Sequence, residues 1–265
     1  MNYVIIGNGT AAVGTIEGIR AADPIGPITV ISEEPYHVYG RPLISYMLLG
    51  KTTEEKMLQY RPADFYEKNG VTTLLDRKAV KIDPAAGAVK LDDGTSVPYD
   101  KLCICTGSRP FVPPMAGLDT VESKTSFMTL DDAKHLDAML GSENDKRVLI
   151  IGAGLIGLKC AEGIYQRVKK LTVIDLAPRI LPNVLTEVPA SIIQKHIESK
   201  GVKFLLEDSV EQFEPNTAHL KSGKTVEFDI LVVAVGVRPN TELAAEAGCE
   251  VNRGILTDAC SATTV

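Results

Sequence analysis

No run of apolar residues in this sequence is long enough to cross a bilayer, which argues against a membrane-spanning reading. Basic clusters are equally scarce. The longest, Arg167-Val168-Lys169-Lys170, suits a solvated helix end, and a formal net charge of -6 argues weakly against nucleic acid. Five cysteines occur without any C-x-x-C spacing, and His37, His135, His196 and His219 are dispersed. No metal site is therefore expected, and the thiols read as small packed hydrophobes. Cys103 and Cys105 share one face of an apolar strand and are poorly placed to bond each other. No charged leader or cleavable apolar segment precedes Tyr3-Val4-Ile5-Ile6, so export is not expected and the cytoplasm is the expected location. What remains is a 265-residue chain, 45% hydrophobic and 23% charged, sufficient for one large or two modest domains.

The chain repeats itself. Tyr3-Val4-Ile5-Ile6 leads into Gly7-Asn8-Gly9-Thr10-Ala11-Ala12, and Val148-Leu149-Ile150-Ile151 leads into Gly152-Ala153-Gly154-Leu155-Ile156-Gly157. A helical pattern follows each glycine turn. A β-branched run then comes in each copy, Ile28-Thr29-Val30-Ile31 and Leu171-Thr172-Val173-Ile174, and each reaches an acid, Glu33 and Asp175. Farther on, Tyr99-Asp100-Lys101-Leu102 leads to Gly107-Ser108-Arg109-Pro110, and Phe228-Asp229-Ile230-Leu231 leads at the same spacing to Gly236-Val237-Arg238-Pro239. Two copies of one βαβ-type unit are predicted, each closed by a final strand and a tight turn. Between these landmarks, residues 61–69 read as a short amphipathic helix closed by Gly70. Strands are expected around Val80-Lys81-Ile82 and Ala88-Val89-Lys90-Leu91 before an Asp93-Gly94 turn, and a helix over 130–140. The expected linker is the Pro113-Pro114 region, with a return near Arg238-Pro239-Asn240.

A Gly-x-Gly turn between strand and helix bends the backbone tightly and admits a pyrophosphate, which then faces exposed N–H groups and the positive helix end. A carboxylate after the next strand accepts hydrogen bonds from ribose hydroxyls. A lone glycine motif is weak evidence; two, each in the right context, favour two Rossmann-type dinucleotide sites over packing turns. Ala12 replaces the third glycine of the first copy, a tolerable exchange, whereas Gly157 retains it. Asp175 disfavours the extra phosphate of NADPH by like-charge repulsion, so NADH is the expected nucleotide. Arg179 stands four residues on, placed to approach a 2′-phosphate, to bind the pyrophosphate or to pair with Asp175.

Over essentially its whole length the sequence resembles the two-dinucleotide-binding-domain flavoproteins of the pyridine nucleotide-disulfide oxidoreductase superfamily. It is most similar to rubredoxin reductases, ferredoxin reductases and the N-terminal part of NADH-dependent nitrite reductase large subunits. The stretches that carry the resemblance are Ile28-Thr29-Val30-Ile31-Ser32-Glu33-Glu34-Pro35, Tyr39-Gly40-Arg41-Pro42-Leu43 and Cys105-Thr106-Gly107-Ser108-Arg109-Pro110. The resemblance implies an α/β fold of two Rossmann-like three-layer domains, with residues 1–112 and 240–265 binding FAD and residues 113–239 binding NADH. Gly7, Gly9, Thr10, Ala11 and Ala12 would hold the FAD pyrophosphate. Glu33 and Glu34 would lie at the adenosine ribose, Arg41 and Pro42 along the cofactor, Val80 at the adenine, and Cys105, Thr106 and Gly107 over the FAD. Gly152, Gly154, Leu155, Ile156, Gly157, Asp175 and Arg179 would hold NADH, with Gly236 near the nicotinamide. Surface charge is the competing reading for Arg41 and Arg109; the Gly-Arg-Pro turn favours function at Arg41, and nothing decides Arg109.

Family mechanism then implies hydride passing from nicotinamide to flavin without an obligatory side-chain acid or base, and electrons leaving for an acceptor. The C-x-x-x-x-C pair of disulfide-reducing relatives is missing, and Leu49 stands where others carry a single redox cysteine. Delivery to a protein or prosthetic group, of rubredoxin, ferredoxin or nitrite reductase type, is therefore expected. Two departures matter. Lys159 occupies the position of a glutamate at the flavin–nicotinamide junction, and Tyr46 that of its lysine partner; Glu162 or the Tyr46 hydroxyl is expected to replace the lost pair. The segment that ends in an aspartate on the ribityl chain, and the C-terminal interface domain, have no counterpart here. Either the sequence belongs to a longer protein or another chain completes the flavin site, and FAD affinity of this chain alone is expected to be weak. A nucleotide-binding subunit without its own turnover is the alternative function, and a flavin oxidase acting on a small amine or thiol ranks third.

Overall fold

The computed structural model describes residues 1–265 and divides into two compact units. The first contains residues 1–40, 55–109 and 238–265; the second contains residues 41–54 and 110–237.

The first unit begins with β1 (Tyr3–Ile6), α1 (Thr10–Ala22) and β2 (Ile28–Ser32). After α2 (Ile44–Leu48), which belongs to the second unit, come α3 (Glu54–Met57), α4 (Phe65–Lys68) and β3 (Val71–Leu75). Then follow β4 (Ala79–Asp83), β5 (Ala88–Leu91), β6 (Ser96–Pro98), β7 (Lys101–Ile104) and β8 (Ser108–Pro110). A parallel sheet runs in the order β3-β2-β1-β7, and β4-β5-β6 form a separate antiparallel meander. Val4, Ile5, Ile6, Val30 and Ile31 are all buried, because a parallel strand covered on both faces needs a continuous apolar run rather than an alternating one. Ala12, Val13 and Ile16 form the buried stripe of α1, the spacing that places one helix face on a sheet.

The second unit contains β9 (Lys124–Thr125), α5 (Leu130–Leu140), β10 (Arg147–Ile151), α6 (Leu155–Ile164), β11 (Lys170–Ile174) and α7 (Glu187–Glu198). It continues with β12 (Val202–Leu205), β13 (Val210–Glu214), β14 (Thr217–Leu220), β15 (Thr225–Glu227) and β16 (Ile230–Val233). Its parallel sheet runs β12-β11-β10-β16-β9, and β13-β14-β15 form the meander. The strands β17 (Val237–Pro239) and the helix α8 (Glu242–Glu246) close the chain's regular structure.

The repetition read from the sequence is a repetition of hydrogen bonds. Gly7 N–H donates to Ile31 O at 2.8 Å, and Gly152 N–H to Ile174 O at 2.8 Å. Asp100 accepts from Asn2 N–H and Asp229 from Arg147 N–H, each at 2.7 Å. The aromatic-Asp pair therefore anchors the last parallel strand to the start of the first in each copy. Both meanders carry a bulge at the same place, between Ala79 and Lys81 and between Val210 and Gln212.

Four expectations need correction. The predicted helix over 61–69 is only α4, because Pro62 holds the turn that starts it: Phe65 N–H donates to Pro62 O at 2.9 Å. Residues 41–54 pack with the second unit rather than the first. Gly163 explains this, since a Cβ there would lie 3.1 Å from Ser45 O and 3.3 Å from Leu48 Cβ, so α2 rests directly on the α6 backbone. The two Gly-x-Arg-Pro segments do not close separate units; they pair with each other as β8 and β17, through Phe111 N–H to Gly236 O and Asn240 N–H to Gly107 O, both 2.9 Å. The chain thus crosses between its units at 109–110 and 237–238, ahead of the expected Pro113-Pro114 linker.

Candidate functional site

Each unit presents one helix mouth at the carboxyl end of its parallel sheet, beside the strand where the order reverses, the position at which such sheets bind ligands. The first glycine of each turn is required by its neighbour strand. Gly7 and Gly152 have φ of +109° and +110°, and a Cβ would lie 2.1 Å from Cys105 O and 2.2 Å from Ala234 O. These carbonyls belong to the residues that follow β7 and β16, so the turn lies directly against the chain leaving the adjacent strand.

The second glycine is different. Nothing lies within 4 Å of a Cβ built on Gly9 or on Gly154. Both are helix N-caps in extended conformation without any side-chain cap, so the first N–H groups of α1 and α6 have no side-chain acceptor at the cap. An open cradle beneath an uncapped helix of 13 or 10 residues is the shape and the electrostatics an anionic pyrophosphate needs. Thr10 and Ala11 are exposed on the first turn of α1, and Leu155, 60% exposed, holds the matching position on α6 with Ile156 half-buried beside it. Gly157 packs: its Cβ would meet Gly152 O at 1.9 Å, while Ala12 fits fully buried in the first copy.

The acids after the second strands are not equivalent. Ile31 and Ile174 receive the same bond from the two glycine turns, so the residue matching Asp175 is Ser32, and Glu33 comes one place later. Ser32 is buried and accepts Glu34 N–H through its hydroxyl at 3.2 Å. The Glu33 carboxylate stands at the surface, 3.0 Å from Lys78 Nζ, and Glu34 accepts the Tyr39 hydroxyl at 2.5 Å. Asp175 faces the glycine turn: it accepts Ala153 N–H at 2.6 Å and Ala177 N–H at 2.8 Å. Arg179 turns away into its own loop, donating to Leu185 O at 3.1 Å and Pro182 O at 3.2 Å, so pairing with Asp175 is not the arrangement found.

Val80 sits at the bulge of the first meander, 43% exposed, which leaves its backbone outside the regular ladder. Thr106 and Asn240 bond reciprocally, Oγ1 to the Asn240 carbonyl and Nδ2 to the Thr106 carbonyl, each at 2.8 Å. Cys105 is half-buried, and Gly107 and Gly236 are exposed with open space at their Cα atoms. Arg109 is taken up by a bidentate pair with Glu242 at 2.6 and 3.0 Å. Arg41 and Pro42 are exposed in the second unit, where Arg41 donates to Met128 O at 3.2 Å.

Lys159, Glu162 and Tyr46 come together in the second unit. Lys159 is ion-paired with Glu162, and its Nζ lies 4.2 Å from the centre of the Tyr46 ring. Glu162 engages the Lys159 ammonium through its carboxylate, and Tyr46 meets it with its ring rather than with the expected hydroxyl.

One network escaped the sequence reading. Tyr66 donates to Asn8 Oδ1 at 2.6 Å and accepts Val38 N–H at 3.2 Å, while Asn8 Nδ2 donates to Tyr36 O at 3.1 Å. His37 packs against Tyr66 with the rings tilted by 55° and their centres 4.7 Å apart. Burial pushes the Tyr66 hydroxyl above its ordinary value. Only the identity of Asn8, a polar residue inside the glycine turn, hinted at it.

The whole chain, residues 1–265, matches the family model described as pyridine nucleotide-disulphide oxidoreductase. It is 36% identical over 259 residues to nitrite reductase [NAD(P)H] of Bacillus subtilis, covering 96% of this chain and 32% of that protein. To rubredoxin-NAD(+) reductase of Pseudomonas putida it is 30% identical over 263 residues, covering 97% of this chain and 68% of the other. Among solved structures, it resembles putidaredoxin reductase in its covalent complex with putidaredoxin, with a TM-score of 0.90, 27% identity, and coverage of 99% of this chain and 65% of that one. The chain spans between about a third and two thirds of these relatives' lengths. A duplicated uncapped helix mouth, an open second glycine and a match over every residue agree: the chain belongs to the pyridine nucleotide-disulphide oxidoreductase family.

Proposed function

We propose that this chain is the dinucleotide-binding part of an NADH-dependent flavin oxidoreductase that delivers electrons to a protein or prosthetic-group acceptor. The observation that carries the reading is the pair of open, uncapped helix mouths at Gly9 and Gly154. In this reading the first unit holds FAD and the second NADH. Bound together, the two cofactors supply hydride transfer and onward electron transfer.

The chain's own residues bind and orient. The amides of Gly9, Thr10, Ala11 and Ala12 face one pyrophosphate, and those of Gly154, Leu155, Ile156 and Gly157 the other. Asp175 stands where the adenosine ribose of NADH would lie, and its charge disfavours a 2′-phosphate. Arg179, committed to Leu185 and Pro182 carbonyls, does not offset that charge, which supports NADH over NADPH. The bulged backbone at Val80 is free to meet an adenine edge, and Glu33 lies on the rim of the same unit. Thr106 and Gly107, tied to Asn240, and Gly236 complete the flavin and nicotinamide ends of the reading; Arg41, Pro42, Glu34 and Cys105 are assigned supporting contacts with the flavin.

The acceptor is proposed to be of rubredoxin, ferredoxin or nitrite reductase type, since the related structure is a covalent complex with putidaredoxin and the related sequences are named for such reductions. A second reading, a nucleotide-binding part without independent turnover, is favoured by the 32% share of the nitrite reductase that the chain covers. One experiment separates them: the absorption spectrum of the purified chain, with and without added FAD, before and after anaerobic NADH. A flavin spectrum bleached by NADH supports the first reading. Flavin bound but not bleached supports the second. A chain that remains colourless after FAD addition and binds no NADH sinks both.

A further inference from the structure

We propose that Asn8-Gly9, inside the first glycine turn, is a site of spontaneous deamidation that the Tyr66 hydroxyl holds in check. Asparagine followed by glycine cyclises readily, because the second residue has no Cβ to crowd its backbone nitrogen. The chain carries two such pairs, Asn8-Gly9 and Asn69-Gly70. The fold treats them differently. Gly70 N–H donates to Glu67 O at 2.9 Å and Asn69 Nδ2 to Phe65 O at 2.7 Å, so the attacking nitrogen of that pair is already committed. Gly9 N–H donates to no group of the chain, and a Cβ built on Gly9 meets nothing within 4 Å. At this pair only the carboxamide is held. Asn8 Oδ1 accepts the Tyr66 hydroxyl at 2.6 Å, and Nδ2 donates to Tyr36 O at 3.1 Å.

Ring closure needs Asn8 Cγ over the Gly9 nitrogen. Both polar atoms of the carboxamide are tied to other segments, 28 and 58 positions along the chain, so the side chain turns onto its own backbone only after releasing them. Tyr66 is itself fixed on α4, where it accepts Val38 N–H at 3.2 Å and packs against His37. Once Asn8 is released, the deprotonated Gly9 nitrogen attacks Cγ. The N–Cγ bond forms, the Cγ–Nδ2 bond breaks, and ammonia leaves with a proton taken from water. Water then adds to either carbonyl of the ring and opens it to aspartate or isoaspartate, with no oxidation or reduction. A carboxylate now stands between Gly7 and Gly9. On the proposed function, on which this consequence alone rests, the new charge repels the pyrophosphate of FAD.

The test ages the full chain without FAD in mildly alkaline buffer and follows aspartate and isoaspartate at both pairs by peptide mapping. Tyr66→Phe should speed conversion at Asn8 by about tenfold, the effect of losing one hydrogen bond from the clamp. Conversion at Asn69 should not change. An Asn8 rate that stays the same or falls in Tyr66→Phe overturns the proposal. So does an Asn69 rate that rises with it, because the variant would then merely loosen the unit. Should Tyr66→Phe fail to fold, the unaltered chain decides: Asn8 should convert at least about tenfold more slowly folded than in urea, and equal rates overturn the proposal. Titration of the aged chain with FAD judges the consequence separately. Converted chains should lose FAD affinity; if they keep it, the cradle reading fails while the rates still stand for the site.

Discussion

The Asp175 carboxylate accepts the Ala153 N–H at 2.6 Å, which ties the acid after β11 to the middle of the glycine turn before α6. One side chain therefore shapes the glycine turn and, in the proposed reading, presents its charge to the ribose of NADH. Asp175→Ala is expected to raise KM for NADH by about tenfold or more, because a buried amide loses its acceptor as the ribose contact disappears. The ratio of kcat/KM for NADH to that for NADPH should fall. Steady-state kinetics with both nucleotides check this, and an unchanged ratio removes Asp175 from the specificity argument.

The two glycines of one turn should fail in different ways. Gly152→Ala places a Cβ 2.2 Å from a backbone carbonyl at a φ of +110°, and is expected to cost about 3 kcal/mol or more of stability. Gly154→Ala meets no atom within 4 Å and should cost about 1 kcal/mol or less. Its Cβ, however, fills the space assigned to the pyrophosphate, so NADH binding should collapse while the melting temperature barely moves. Denaturation and nucleotide titration of both variants are sufficient; a Gly154→Ala chain that binds NADH normally would refute the cradle.

Tyr66→Phe removes the hydroxyl that joins Asn8 to Val38 across three segments of the first unit. A net loss of about 1 to 2 kcal/mol is expected from two bonds in a half-buried network. FAD affinity should drop in the same variant, since Asn8 lies between the two glycines of that turn. NADH affinity, measured separately, should not change.

Acid stability should respond to Arg147. Its guanidinium, hydrogen-bonded to Asp229 at 2.7 and 3.1 Å, holds that carboxylate below the usual range. A lowered folded-state pKa contributes stability that is present above the unfolded value and lost as pH falls through the folded one. The contribution is about 1 kcal/mol, because the pair is a third exposed and screened by solvent. Asp229→Asn should therefore lower stability at pH 7 and flatten its decline below about pH 4. Equal slopes in the two proteins would contradict the assignment.

Glu162→Gln breaks the ion pair that, with the Tyr46 ring, holds the Lys159 ammonium. Stability should change by less than about 1 kcal/mol, as both groups are partly exposed. Anaerobic reduction of bound flavin by NADH should slow by about tenfold. If reduction is as fast as in the unaltered chain, the trio has no part in the transfer.

The sequence by itself determined the duplication, the two parallel-strand runs, the glycine turns and the helices that follow them. Each is a local pattern: apolar continuity marks a strand buried on both faces, and Gly-x-Gly marks a turn that its neighbour strand crowds. Local pattern also named an acid after each second strand, Glu33 and Asp175, without fixing their register. Only the bonds from Gly7 and Gly152 to Ile31 and Ile174 show that Ser32, not Glu33, matches Asp175. Tertiary structure alone decided that α2 packs on Gly163, that the two Gly-x-Arg-Pro segments pair with each other, and that Tyr66 reaches Asn8 across 58 positions. Periodicity reports which face of an element is buried; which distant side chain arrives at that face depends on how the elements close over one another.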